Sequence, residues 1–388
     1  MTTIRLKPRE GRRMRAGAPW AFANEIVLDG AAKALSPGML VNVEGDDGRK
    51  FGTGYFNIKS LIAIRLLDSA PDVEIGKEFL VARFSRALRL REAVYAAPYY
   101  RLVHAEGDGL AGLTIDRFAD VCVLQVTTAG MEALLDPLIA ALDEVLSPAT
   151  IVLRNDTPAR ALEGLDSYVR AAKGEMPSRI AVEENGVRYF ADLAGGQKTG
   201  WYYDQRDNRA FMAALAKNKT VLDAYCYTGG FALAAARAGA KEIAGLDSSA
   251  PALALAEDAV RASGASVKFI KCDVFEELER LSSERFDVVI ADPPPFVKSR
   301  KDLEPGAKAY RKLARLAAHV VSPGGLLLLA SCSHNMPADR FAAECAIGIA
   351  RAGRTAALIR QAGAGPDHPV HPMLPETAYL KALVYALD

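Results

Sequence analysis

The chain has 388 residues, half of them hydrophobic, with 48 basic against 47 acidic side chains and a formal net charge of +1. That length implies two or three domains, and the composition excludes a disordered chain, which needs low hydrophobicity and high net charge. Near-neutrality excludes a uniformly basic nucleic-acid binder, so any basic surface is local. One such run opens the chain (Arg5, Lys7, Arg9, Arg12, Arg13 and Arg15 against Glu10), and a second is Arg83, Arg86, Arg89 and Arg91. Both read either as solvated faces or as RNA-backbone contacts.

Residues 1–72 carry short alternating strands around Leu40–Val43, Gly52–Tyr55 and Ile62–Leu66, with a turn at Gly45–Gly48, which predicts a small β-rich domain. Residues 73–190 predict a central α+β module: a helix over Phe79–Tyr95, strands near Leu113–Asp116 and Val121–Val126, a helix from Met131 to Leu146, and a strand at Thr150–Leu153. From 191 to 388 strands and helices alternate. Strands are expected at Thr220–Asp223, Glu242–Asp247, Val267–Ile270, Phe286–Ile290 and Gly325–Ser331. This pattern gives an α/β fold with a mostly parallel sheet covered on both faces, whose ligands bind at the carboxyl ends of the strands.

No apolar stretch reaches membrane-spanning length, and the Arg-rich start runs directly into strand-like sequence without a cleavage-like segment. The five cysteines are scattered without a CxxC, so neither a zinc site nor a disulfide framework is expected. These features predict a cytoplasmic protein with no metal and no membrane contact.

The strand ends hold the candidate chemistry. The first ends in Asp223, followed by Tyr227-Thr228-Gly229-Gly230, and the second ends in Asp247-Ser248, 24 residues after Asp223. A glycine turn and then an acid suit a ribose-bearing cofactor, although the GxGxxG dinucleotide fingerprint is absent. Asp273 and Val274 end the third strand, placed for an adenine. To this point a nicotinamide remains as open as any other adenosine cofactor.

The fourth strand ends in Asp292-Pro293-Pro294-Pro295-Phe296, where proline fixes the backbone beside an acid. The fifth ends in Ser331-Cys332-Ser333-His334. Cys122, Cys272 and Cys345 read as buried inert thiols, and Cys226 as a packing residue. Cys332 lies at the reactive edge, and a thiolate there would be a nucleophile.

With these residues in place, the chain resembles the RlmI-like family of large-subunit ribosomal RNA cytosine-C5 methyltransferases. The most specific stretch is Gly196-Gln197-Lys198-Thr199-Gly200-Trp201-Tyr202-Tyr203-Asp204-Gln205-Arg206-Asp207-Asn208-Arg209. Gly107–Leu110, Thr114–Phe118, Tyr227–Phe231, Asp292-Pro293-Pro294, Ser331-Cys332-Ser333, Asp367-His368-Pro369 and Tyr379-Leu380-Lys381 follow in the family's order. Two positions depart from the pattern: Pro295 stands where lysine is frequent, and His334 where a small residue is common.

The resemblance implies an N-terminal PUA-like RNA-binding domain, a central accessory module, a Rossmann-like methyltransferase domain with a mostly parallel seven-stranded sheet, and S-adenosylmethionine bound by Tyr202, Gln205, Arg206, Asp223, Tyr227, Thr228, Gly229, Gly230, Asp247, Ser248, Asp273, Val274 and Asp292. It implies catalysis by Cys332 and Asp292. Lys198, Pro293, Pro294, Phe296, Arg12 and Arg13 are the expected RNA contacts, with Tyr202 and Tyr203 as further stacking candidates. The expected partner is free or partly assembled large-subunit ribosomal RNA, and a homodimer is possible. Three rival readings are methylation at another RNA position such as a guanine nitrogen, an RNA-binding assembly factor that keeps a donor pocket, and a small-molecule methyltransferase, against which the RNA-binding-like N-terminal region speaks.

Overall fold

The computed structural model describes residues 1–196 and 199–388, and its chain divides into two compact units. The first comprises Met1–Ser178 together with Asp192–Trp201 and Pro366–Pro375; the second comprises Arg179–Ala191, Tyr202–Gly365 and Glu376–Asp388.

The first unit holds two five-stranded sheets. In one, the order is Thr2–Arg5, Met39–Glu44, Lys50–Phe56, Ile62–Asp68, Trp20–Phe22, with only the first pair parallel. Ile4, Leu6, Val41, Val43, Phe56 and Ile64 pack its core. Gly52 sits at φ +129, and a Cβ there would lie 2.0 Å from the carbonyl oxygen of Asp68, so only glycine allows these strands to close. The second sheet runs Tyr99–His104, Leu113–Phe118, Val121–Val126, Thr150–Asn155, Tyr168–Lys173, and the helices Lys77–Val94 and Leu135–Leu146 pack together beside it. The helix expected from Met131 to Leu146 is broken at Leu134 into Ala129–Ala133 and Leu135–Leu146. Pro137 explains the break, since it has no N–H to return to the preceding turn.

A buried polar network ties distant segments of this unit. Arg91, with no side-chain exposure, makes a bidentate pair with Asp108 and donates to the Asp367 carbonyl at 2.9 Å. The Asp367 carboxylate accepts from the Arg101 amide and lies 2.8 Å from the His368 ring nitrogen. Arg101 is itself bidentate on Asp116, which also accepts from the Thr199 hydroxyl. A Cβ on Gly107 would lie 1.9 Å from the Pro369 carbonyl oxygen. The motif residues Gly107, Asp108, Asp116, Thr199 and Asp367 therefore act as structural anchors.

The network also corrects the reading of the second basic run as an RNA-facing surface. Arg91 is internal and Arg83 is spent on Asp68 and the Leu67 carbonyl, so only Arg86 and Arg89 face solvent.

The second unit contains seven strands: β1 Thr220–Ala224, β2 Glu242–Asp247, β3 Lys268–Lys271, β4 Phe286–Ala291, β5 Val321–Ser331, β6 Ala356–Ala362 and β7 Lys381–Leu387. Their order is β3-β2-β1-β4-β5-β7-β6; the first five are parallel and β7 is antiparallel to both neighbours. The helices are α1 Arg206–Ala214, α2 Gly230–Arg237, α3 Ala250–Ser263, α4 Val274–Arg280, α5 Leu303–His319 and α6 Ala338–Arg351. The fully buried runs Val288–Ala291 and Leu327–Ser331 form the centre of the sheet, as a parallel sheet covered on both faces requires. Strand order reverses between β1 and β4, which makes their carboxyl ends the expected ligand crevice. A hairpin, Ile180–Glu184 with Val187–Ala191, packs beside α3. Among the described residues no helix is long and apolar enough to cross a membrane.

Candidate active site

The loop from β1 to α2 alternates through the left-handed region, with Tyr225 at φ 65, Tyr227 at φ 50 and Gly229 at φ 79. Non-glycine residues in that region are strained by roughly 1–3 kcal/mol each, and strain of this kind collects at functional sites. Hydrogen bonds hold the loop in place: the Cys226 amide donates to Leu246, the Tyr227 amide to Asp247, and the Gly229 amide to Cys226. The sequence suggested that Gly229-Gly230 lets backbone approach a ligand. In the structure a Cβ on Gly229 would meet Phe269 at 3.1 Å and Ala256 at 3.2 Å, so this glycine serves the turn and the packing beneath it.

Three polar atoms in this region are buried without a hydrogen-bond partner among the described residues: Asp223 Oδ1, Thr228 Oγ1 and Gln205 Nε2. Leaving such a group unsatisfied costs about 1–3 kcal/mol, so three together mark a place where a ligand supplies the missing partners. The other Asp223 oxygen accepts from the Ala232 amide at 2.9 Å. Burial, reinforced by the nearby Asp292 and Asp247 carboxylates, pushes Asp223 up to about 7.

An acid whose pKa rises on folding is stabilising below its unfolded value and loses that contribution as pH climbs through the folded value. Here the window is about pH 4 to 7, and a shift of roughly three units corresponds to at most about 4 kcal/mol. The urea midpoint of the ligand-free protein should fall between pH 5 and pH 8, and Asp223→Asn should flatten that fall. An unchanged slope in the variant would show that Asp223 does not titrate there.

Asp247, half-buried, accepts from the amides of Tyr227 and Ser249, and each oxygen retains lone pairs for a further donor. Ser248 is exposed beside it. Asp273 caps α4 by accepting from the Glu276 amide, while the Val274 side chain lies in the core, which leaves only its backbone amide for a base. Tyr202 meets Tyr227 edge-on at 5.4 Å, and burial raises the pKa of its hydroxyl, with Tyr227, Asp204, Cys332 and Asp292 contributing in the same direction. Arg206 is buried and paired with Glu184 at 3.5 Å, and Arg209 forms a bidentate pair with the same carboxylate. The hairpin that supplies Glu184 is not among the elements expected from the sequence. Tyr203, a stacking candidate, is 1% exposed with the Arg206 guanidinium over its ring, so its face is covered by the protein.

At the reactive edge the Asp292 amide donates to the Ala224 carbonyl, linking the ends of β4 and β1. The Cys332 sulfur lies 4.0 Å from the Pro293 carbonyl oxygen, so the cysteine and the proline loop are neighbours. The Ser333 hydroxyl accepts from the Val297 amide and bonds Tyr310, which fixes this pair of loops. Pro294 is exposed, whereas Pro293 is buried. Phe296 packs on Tyr310 at 4.7 Å and Phe275 at 5.9 Å, which commits much of its ring to the core. His334 is exposed and stacks on Tyr379, whose hydroxyl donates to Asp204.

Cys332 is half-buried, as is Cys272, while the other three cysteines are buried. Burial raises Cys122 to about 12 and Cys272 to about 11, and it also raises Cys226 and Cys345, in accord with inert thiols. Lys198 lies outside the described residues, and Arg12 and Arg13 belong to the first unit.

A family model for S-adenosylmethionine-dependent methyltransferases matches residues 161–386. The chain belongs to that family. A PUA-like domain model matches residues 4–69. Proteins named ribosomal RNA large subunit methyltransferase I from Shewanella denitrificans and Alteromonas mediterranea are 37% and 36% identical; the matches cover 98% of this chain and 98% and 97% of theirs. A methyltransferase structure containing S-adenosylhomocysteine matches over 100% of both chains with a TM-score of 0.85 at 21% identity, which shows a shared fold. S-adenosylmethionine is the methyl donor of this methyltransferase, and the nicotinamide alternative falls away. The three unsatisfied atoms fit such a donor, which carries an amine, a carboxylate, ribose hydroxyls and an adenine.

Proposed function

We propose that this methyltransferase forms 5-methylcytosine in large-subunit ribosomal RNA through a covalent cysteine adduct. The observation that carries the reading is Cys332 lying against the Pro293 carbonyl, next to Asp292, at the carboxyl edge of the sheet. The names of the full-length relatives support ribosomal RNA as the acceptor. The labour divides among residues 1–72 for RNA capture, 73–190 as a central module and 191–388 for chemistry.

Asp223, Thr228 and Gln205 would hold the donor, with Asp247 placed for ribose hydroxyls and Asp273 and the Val274 amide for the adenine. The bound donor supplies an electrophilic methyl group. Carbon 5 of cytosine is a weak nucleophile, and addition of the Cys332 thiolate to carbon 6 makes carbon 5 electron-rich. Asp292 in its protonated form donates to the ring N3, and passing that proton to N3 neutralises the negative charge that thiolate addition builds there. Removal of the carbon 5 proton re-forms the ring double bond and expels the cysteine. The base must leave its stack to reach this edge, which is the usual route for enzymes that modify a base.

The deciding test is a map of 5-methylcytosine in large-subunit ribosomal RNA from cells with and without the gene. One site should be lost and should return with wild type but not with Cys332→Ala. A lost methylguanine instead would favour a guanine-nitrogen acceptor.

RNA capture is assigned to Arg12 and Arg13, of which Arg12 is exposed and Arg13 half-exposed. Arg15 is occupied by Asp46 and Asp47 and is excluded. Replacing both Arg12 and Arg13 with glutamine should weaken RNA binding and reduce the slope of log K against log salt by about 1.5, since each phosphate contact contributes roughly 0.7–0.9. Filter binding across a salt series reads this, and an unchanged slope would remove the two arginines from the interface.

A further inference from the structure

We propose that Lys381 is the cation that holds Cys332 as a thiolate, a positioning residue for the nucleophile rather than a contact of the substrate. This rests on Cys332 being the nucleophile.

Lys381 opens β7 and is the cross-strand partner of Ser331, the residue before Cys332. Its Nζ donates to the carbonyl of Ser333, the residue after it, at 2.7 Å. The side chain therefore spans the backbone on both sides of the cysteine. Lys381 is 9% exposed, and among the described residues it has no carboxylate partner in an ion pair or hydrogen bond. A buried ammonium without a counter-charge is unfavourable, and charges so placed are retained where a partner forms in function. Burial lowers Lys381 to about 8, and the charge on Cys332 acts in the opposite direction.

Among the described residues, the other titratable groups around the thiol include Tyr202, before α1, and Tyr310, on α5, both raised further by the charge on Cys332, and Asp292 after β4. His334, stacked on Tyr379, which bonds Asp204, completes the surroundings. The carboxyl groups and the tyrosines supply no positive charge to a thiolate. Among these described groups Lys381 is thus the cation.

The proton on Sγ leaves to solvent and its electron pair stays on sulfur, opposite the ammonium. That pair then forms the Sγ–C6 bond. When the carbon 5 proton is removed and the ring double bond re-forms, the Sγ–C6 bond breaks and its electrons return to sulfur beside the same ammonium. Lys381 neither gains nor loses a proton over the cycle.

The test is alkylation of the full-length protein by iodoacetamide, without donor or RNA, from pH 5 to pH 10, with the Cys332 peptide followed by mass spectrometry. In wild type the alkylation midpoint should lie below the ordinary thiol value of about 8.5. Lys381→Met should raise that midpoint by about one unit or more, equivalent to a roughly tenfold slower reaction at pH 7. Lys381→Arg, which keeps the charge, should restore it to within about half a unit, whereas a purely structural lysine would move neither midpoint.

A wild-type midpoint above 8.5, or equal midpoints in wild type and Lys381→Met, overturns the proposal, and the wild-type measurement stands even where the methionine variant does not fold. Because this readout needs no methyl transfer, its failure is separable from failure of the cysteine mechanism. An active Cys332→Ala enzyme removes the nucleophile, whereas unmoved midpoints remove Lys381 alone.

Discussion

Cys332→Ala should lower methyl transfer to RNA by about 10⁴-fold or more while leaving donor affinity within about twofold of wild type. Loss of a covalent nucleophile removes the whole adduct route, and measured losses of this kind in other enzymes reach roughly 10⁶. Donor binding should survive because the unsatisfied atoms that define that pocket belong to Asp223, Thr228 and Gln205. Folding should survive as well. The sulfur is half-buried, its 4.0 Å approach to the Pro293 carbonyl is a weak contact, and alanine is smaller. Radiolabelled methyl transfer and calorimetry with S-adenosylmethionine measure the two quantities. RNA carrying 5-fluorocytidine gives an independent view, since fluorine at carbon 5 blocks the final proton removal. Wild type should form a complex stable to denaturing electrophoresis, and Cys332→Ala should not. A variant retaining a tenth of the activity would mean that Cys332 is structural and that the acceptor is a different atom.

The reactive edge was legible because it lies where a parallel sheet must place it. Hydrophobic runs such as Val288–Ala291 and Leu327–Ala330 end abruptly in Asp292 and Cys332, and strand ends of this kind need no tertiary knowledge to locate. Charge was harder to read. The arginines from 83 to 91 look alike in sequence, yet Arg91 is buried because Asp108, seventeen residues later, returns to meet it. Nothing in a run of like charges shows which member has a distant partner.

Lys381 stood in a visible motif, Tyr379-Leu380-Lys381, but its nearness to Cys332 was hidden for the same reason. It lies 49 residues from Cys332 and reaches it only through the antiparallel register of β7 on β5. The hairpin ending in Ala191 did carry a signal. Asn185-Gly186, at φ 52 and φ 75, is a type I′ turn pair flanked by alternating residues, and reading it would have placed Glu184.

That hairpin carries the second large effect. Arg209→Met should destabilise the protein by about 3 kcal/mol and weaken donor binding about tenfold. Arg209 and Glu184 are 4% and 1% exposed in their side chains and pair at 2.6 and 2.7 Å. Removing one member of a buried pair costs roughly 3–5 kcal/mol, because the survivor keeps its desolvation penalty. Arg206, 3.5 Å from the same carboxylate, offsets part of that loss and places the expectation at the lower end.

The donor effect follows from geometry. Arg209 also donates to the Tyr202 carbonyl at 2.8 Å, and Tyr202 leads directly into Gln205, whose amide nitrogen awaits a ligand. Releasing that carbonyl loosens the wall of the donor pocket. The double variant Arg209→Met with Glu184→Leu should recover much of the stability, since apolar residues can replace a buried pair at little cost. It should not recover donor affinity, since the bond to Tyr202 remains absent. Urea denaturation and calorimetry separate these outcomes. A single variant that loses under 1 kcal/mol would mean that the pair is not the clamp of this pocket, and a double variant that regains donor affinity would mean that Tyr202 is held by something else.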